Sequence, residues 1–219
     1  MAIEVRFGVF KDPWSATTHF VGFLGALVGC GAILMAGWAD PVRLVAGAIY
    51  GVALVVLFLA SSLYHFFDFG PRANHWLRRV DHAAIFVFIA ACYVPISALL
   101  LDGAWQLVLL TGISALGVGG ALYKLIWFHA PMWVEMTGYL GLGWLGVLLT
   151  PAILAGAGGA SVVLMAGGGL AYTLGAVVFI LERPDPWPKI FGHHEIWHLF
   201  VLAGATAHYF MLYGVVSTA

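Results

Sequence analysis

The sequence predicts an all-α fold, a polytopic bundle of seven transmembrane helices with its N-terminus in the cytoplasm and its C-terminus outside. Three observations carry that reading. Hydrophobic residues make up 63% of the 219 positions and charged residues only 9%, against about 25% charged in a soluble domain. Such a chain cannot cover a water-facing surface, so lipid is its solvent. Seven apolar stretches follow one another, each about as long as the roughly 20 residues a helix needs to cross a bilayer. Lysine and arginine, finally, fall on alternate sides of those stretches.

The stretches run approximately over 17–38, 42–66, 81–101, 104–127, 132–154, 160–182 and 194–216, and residues 1–219 read as a single integral membrane domain. Turn-forming residues separate them: Asp40-Pro41, Gly70-Pro71, Asp102-Gly103, Ala130-Pro131, the glycines between Gly156 and Gly159, and the prolines between Pro184 and Pro188. The N-terminal segment lacks a basic region running directly into an apolar core and a cleavage site, so the first span is expected to act as the insertion signal. Gly25 and Gly29 in the first span, and Gly47 and Gly51 in the second, offer small faces for close helix approach. Tryptophans 14, 38, 76, 105, 127, 133 and 187 stand near span ends, as interfacial anchors do. Cys30 and Cys92 fall inside apolar spans and are expected to be packed thiols rather than a disulfide.

With the N-terminus inside, Arg6, Lys11, Arg72, Arg78, Arg79, Lys124, Arg183 and Lys189 all lie on the cytoplasmic side and only Arg43 lies outside. That bias sets the orientation. The net charge of −1 speaks against a nucleic-acid partner.

This topology places the unusual polar residues at one depth. His65 ends the second span, Asp81 opens the third, and His194 and His198 open the seventh, all near the cytoplasmic leaflet. A metal ion accounts for the convergence. His194 and His198 are four residues apart, on one helix face and about 6 Å apart along the axis. His65 meets them from a neighbouring helix. Three imidazoles leave the fourth position of a tetrahedral ion open, the pattern of a catalytic zinc site, and one zinc per chain is expected. Asp81 is placed to act on water or ligand at the metal, and Ser61 lies one turn from His65 on the same face. Ionisable groups at membrane depth are functional by default.

His194 to His198 also spells H-E-x-x-H, in which the glutamate of a zinc protease is the general base. A transmembrane setting and a third ligand in His65 disfavour that reading, and Glu195 is expected to point elsewhere. His208, about 15 Å deeper by helical rise, either lines a cavity or bonds across helices. Glu135 needs a partner. His82 and His193 are expected on other faces than the ligands, and His19, His75 and His129 at interfaces. A retinal protein is excluded because no lysine falls in the last span. A b-type cytochrome is excluded because no second helix offers two matching histidines.

The constellation resembles the hemolysin III family, the bacterial branch of the progestin and adiponectin receptor superfamily, itself related to alkaline ceramidases. The resemblance rests on Thr18-His19-x2-Gly22, on SSLYHFF at 61–67, on RRVDHAAIFVFIAACYVP at 78–95 and on GHHEIWHLFVLAGATAHYF at 192–210. It implies a seven-helix bundle, zinc on residues matching His65, His194 and His198, and an acid and a hydroxyl near the metal at Asp81 and Ser61. Two positions depart from the family pattern. Ala91 and Cys92 precede Tyr93 where Gly-Thr is commoner, and Glu195 stands where small or neutral polar residues are frequent.

Three functions follow as expectations. The first is a zinc-dependent intramembrane hydrolase of a lipid amide, with a membrane lipid entering from the cytoplasmic leaflet. The second is a sensor or regulator of membrane state, in which the zinc is structural. The third, a pore-forming cytolysin, is disfavoured because the chain has neither a soluble domain nor a cleavable signal.

Overall fold

The computed structural model describes residues 11–127, 131–188 and 190–218. Its helices are α1 (Pro13–Gly37), α2 (Pro41–Phe66), α3 (Pro71–Leu100), α4 (Gly103–Ile126), α5 (Met132–Trp144), α6 (Thr150–Leu181) and α7 (His193–Thr218), with a 3₁₀ segment, Leu145–Leu149, joining α5 to α6. Among the described residues there is no strand; an isolated bridge joins Trp187 and Phe191. Among the described residues six helices are long and apolar enough to cross a membrane, the fifth being the continuous stretch Met132–Leu181. The protein is a multi-pass integral membrane bundle.

Proline starts α1, α2 and α3, where a missing N–H costs nothing and the fixed φ suits the helix. Asp40 caps α2, its carboxylate accepting from the backbone N–H of Val42 at 2.8 Å and of Arg43 at 2.9 Å. The third helix starts ten residues ahead of its apolar run. Gly70, at φ 87°, turns the chain into Pro71. Asp68 accepts from Gly70 N–H at 3.0 Å and from the Asn74 amide at 2.8 Å, closing the turn. A polar first stretch is thereby held helical outside the hydrophobic part.

The fifth stretch is 50 residues long. As one straight helix it would measure about 75 Å, more than twice the hydrocarbon thickness. It does not run straight. Gly158 sits at φ 79°, ψ 173°, a region open essentially to glycine alone. The Trp144 indole N–H donates to Thr173 Oγ1 at 3.2 Å, though 29 residues of straight helix would set them about 43 Å apart. The chain therefore doubles back at Gly158.

α7 packs against α1, α2, α3 and α6, and α3 against α2, α4, α5, α6 and α7. Small residues let α7 do so. A Cβ on Gly29 would meet the Tyr209 ring at 2.9 Å, and one on Gly22 would meet Leu202 and Phe58. Tyr209 O–H donates to the Gly29 carbonyl at 3.0 Å across that contact. The outward faces are apolar. Val28, Met35, Leu148 and Ile126 are each more than 70% exposed, as lipid-facing side chains are. Cys30 and Cys92 are free, half-buried thiols.

Candidate metal centre

His65 lies in the last turn of α2, and His194 and His198 lie in the first turns of α7. His65 and His198 are buried and His194 is half-buried. One ligand nitrogen from each falls within 4.8 Å of the other two, which makes the three a group able to hold a metal ion. His65 Nε2 and His194 Nε2 approach to 3.4 Å.

The donor chemistry fits a cation. His65 Nδ1–H donates to Asp12 Oδ2 at 3.0 Å. His198 Nδ1 stands 3.2 Å from the Ser15 carbonyl oxygen, which can only accept, so this nitrogen carries the proton. Thr18 Oγ1, itself donating to the same carbonyl, is 3.3 Å from that nitrogen. Each partner fixes a ring tautomer with the Nε2 lone pair free. The Nε2 lone pair of His65 faces His194 Nε2 at 3.4 Å, a contact satisfied either by a proton on His194 or by a cation held between the rings.

Asp12 and Ser15 were not apparent from the sequence as site residues. Asp12-Pro13 reads only as a helix start, and nothing in its spacing pairs it with His65. The structure places it there through the backbone. Lys11 N–H donates to the Phe66 carbonyl at 3.2 Å and Asp12 N–H to the His65 carbonyl at 3.0 Å. The segment ahead of α1 thus satisfies the carbonyls left open at the end of α2. Burial pushes the Asp12 carboxyl upward. The hydrogen bond from His65, helped by the charge of Lys11, outweighs that and holds it below the ordinary aspartate range.

His19 corrects an expectation. It is buried rather than interfacial, stacked on His198 with ring centroids 3.7 Å apart, and its Nδ1 is 2.7 Å from Ser61 Oγ. The stacked imidazole, itself edge to face with Phe58, braces the His198 ring. Asp81 lies beside the Ser61 hydroxyl. His82 and His193, expected on other faces, both line the same cavity as the ligands. His129 lies outside the described residues.

Glu195 is turned away from the ligand nitrogens. It is the third residue of α7, and its Oε2 accepts from Gly192 N–H at 2.8 Å, one half of a capping box. Ser15 O–H donates to its other oxygen at 2.6 Å. Both oxygens are engaged in holding α7 to α1. The H-E-x-x-H spelling is here a helix cap that carries two histidines of the cluster.

Glu135 finds three partners. It bonds His82 Nδ1, accepts from Tyr139 O–H at 3.1 Å, and pairs with Lys124 Nζ at 2.9 Å. Lys124 is completely buried. This network ties α3, α4 and α5 together beside Asp81.

Above these groups opens a cavity of about 700 Å³. Its polar floor holds His65, His194, His198, Asp81 and Ser61, and its walls are mostly apolar, including Ile85, Phe88, Ile89, Met136 and Val201. Its volume is that of a site for a small lipid or drug-sized molecule.

A membrane bundle with a buried three-histidine cluster at one end of a lipid-sized cavity is the class of protein these features define. The chain belongs to the haemolysin-III-related family, which it matches over residues 7–209. It is 30% identical over 206 residues to the hemolysin-3 homolog of Bacillus subtilis (strain 168), covering 93% of each chain. It is 30% identical over 219 residues to the hemolysin-3 of Bacillus cereus, covering 96% of this chain and 94% of that one. A heptahelical transmembrane protein ADIPOR2 of Oryza sativa subsp. japonica is 31% identical over 175 residues, 72% of this chain and 75% of its own, which extends the kinship to the adiponectin-receptor superfamily.

Proposed function

We propose that the protein is a zinc-dependent intramembrane hydrolase acting on a lipid amide. The observation that carries the reading is the convergence of three histidine nitrogens, Asp81 and Ser61 on the floor of one apolar cavity. A tetrahedral zinc with Zn–N distances of about 2.0–2.1 Å sets its ligand nitrogens about 3.3 Å apart, close to the 3.4 Å between His65 and His194. The metal group among the described residues has three members, which leaves a position for substrate or water. When bound, zinc polarises a carbonyl and lowers the pKa of water.

The chain's own residues supply the rest. The apolar walls hold the acyl chain and exclude bulk water. Asp81 takes the proton from the attacking water and returns it to the departing amine, so that amide and water become acid and amine. Ser61 orients Asp81. Asp12 and Ser15 hold the rings of His65 and His198 on target.

The bundle crosses the membrane seven times in this reading. The turn at Gly158 divides the 50-residue stretch into two arms, and the rice relative's name describes it as heptahelical. An odd number of crossings puts the N-terminus in the cytoplasm and the C-terminus outside, as the basic residues suggest. Lys124 no longer counts toward that bias, since it is buried on Glu135. The metal centre then sits at the cytoplasmic leaflet.

A second reading rests on the same clasp. Asp12, Ser15 and the three histidines join α1, α2 and α7, as a structural metal would in a sensor of membrane state. Metal content and turnover separate the two. The purified protein is expected to carry about one zinc per chain, lost in His65→Ala, His194→Ala and His198→Ala, and to release fatty acid from a lipid amide. Asp81→Ala is expected to keep the zinc and lose turnover. Zinc bound without turnover of any lipid amide supports the sensor, and a wild type that cannot be loaded with zinc overturns both.

A further inference from the structure

His19 is a costly residue where it stands. It lies within the apolar span of α1 and is only 5% exposed. Its Nε2 is buried with no hydrogen-bond partner among the described residues, and an unsatisfied polar atom in such surroundings lowers stability. The ring packs flat on His198 and edge to face with Phe58, with centroids 3.7 and 5.2 Å away. A phenylalanine would make both contacts without an orphaned nitrogen. What the imidazole adds is the bond at its other nitrogen, Nδ1, which stands 2.7 Å from Ser61 Oγ.

The orphaned nitrogen fixes the direction of that bond. A proton on Nε2 would leave a buried N–H unpaired, a rarer defect in folded proteins than an unfilled acceptor. With the proton on Nδ1, only a lone pair is left over. Nδ1–H therefore donates to Ser61 Oγ, and the hydroxyl's own proton is turned away from His19. The Asp81 carboxyl lies beside that hydroxyl and accepts from it. One chain of bonds thus runs from α1 through α2 to α3, from His19 to Ser61 to Asp81, and its first member is stacked on a histidine of the cluster.

We propose that His19 is a positioning residue for Asp81, holding the carboxyl through Ser61 in the orientation that takes a proton from water at the histidine cluster. The proposal rests on the reading of Asp81 as the acid–base group of a hydrolase. His19 acts through Ser61 and does not itself meet the substrate. Its ring braces His198 while its Nδ1 steers Asp81, so one side chain sets the metal-binding and proton-handling halves of the centre relative to each other.

Two substitutions separate these contributions. His19→Phe keeps the stack and loses the N–H. His19→Asn keeps an N–H the same number of bonds from the backbone as Nδ1 and loses the ring. The full-length protein, loaded with zinc in detergent, is measured for metal content, for kcat and KM on N-oleoylethanolamine, and by infrared difference spectroscopy for the Asp81 carboxyl band, assigned by its disappearance in Asp81→Asn. His19→Phe is expected to hold zinc like the wild type, to shift the band as Ser61→Ala does, and to lose about 100-fold in kcat with KM unchanged, as misplacement of a catalytic group typically costs. His19→Asn is expected to bind zinc less tightly yet, at saturating zinc, to restore the band and most of kcat. An unshifted band in His19→Phe at full zinc overturns the proposal, as does a His19→Asn protein that, at saturating zinc, restores neither band nor kcat. Loss of zinc from His19→Phe overturns it too, the imidazole then serving His198 alone. Should His19→Phe fail to fold, an unshifted band in Ser61→Ala overturns the chain by itself. A wild type that hydrolyses no lipid amide overturns instead the hydrolase reading, and the band shift still decides the hydrogen-bond chain.

Discussion

The carboxylate of Asp12, one residue ahead of the first helix, accepts a hydrogen bond at 3.0 Å from Nδ1 of His65 at the end of the second. This contact selects the ring tautomer that points Nε2 at the other two histidines. Outer partners of this kind typically tune metal affinity by 10–100-fold. Asp12→Asn is therefore expected to weaken zinc binding by about that factor with the fold intact, read by competition with a chelator. Unchanged affinity would mean that the Asp12 contact does not set the ligand.

Glu195 gives a prediction of opposite sense. Its two oxygens bond Gly192 N–H and the Ser15 hydroxyl, so its work is mechanical. Glu195→Gln, which keeps the cap, is expected to leave metal content and any amide hydrolysis within about twofold. Glu195→Ala is expected to lower stability by about 1 kcal/mol through loss of the cap, seen as a drop in the melting temperature in detergent. A selective loss of turnover in Glu195→Gln, at full metal content, would revive the protease-like role.

The buried pair of Lys124 and Glu135 at 2.9 Å predicts strong coupling. Removing one partner strands the other charge, which typically costs 3–5 kcal/mol. Lys124→Met alone is expected to destabilise by about that amount. Lys124→Met combined with Glu135→Gln is expected to recover much of it, because both charges are then gone. A double-mutant cycle with no coupling would show that the pair does not form in the membrane.

At Gly158, φ 79° and ψ 173° make a side chain expensive, about 1–3 kcal/mol for a residue held in such a region. Gly158→Ala is expected to lower thermal stability accordingly, while Gly159→Ala, next to it with open space around its Cα, changes little. Equal effects would show that the reversal does not depend on this conformation.

Much of this molecule was legible from residue type alone, and the reasons are physical. Apolar length and the expense of charge in lipid mark the helices, and the rarity of histidine and aspartate in that setting marks His65, Asp81, His194 and His198. What escaped was orientation about a helix axis. His19 and His82 sit at the right depth, but depth does not reveal that one stacks on His198 and the other faces Glu135. Asp12 escaped for a different reason. A Pro-preceding aspartate is an ordinary helix start, and its link to His65 passes through two inter-helix backbone bonds that leave no trace in spacing. The early start of α3 escaped because Pro71 and the Asp68–Asn74 bond extend the helix into polar sequence.

The histidine cluster draws one ligand from the end of α2 and two from the start of α7, and is clasped by Asp12 and Ser15 from α1. Chains are made from the N-terminus, and early segments settle before late ones exist. No nascent or truncated chain that lacks α7 can present all three nitrogens. A metal held by this cluster would therefore be acquired only after α7 has docked, and metal content would measure the fraction of molecules in which α1, α2 and α7 have come together.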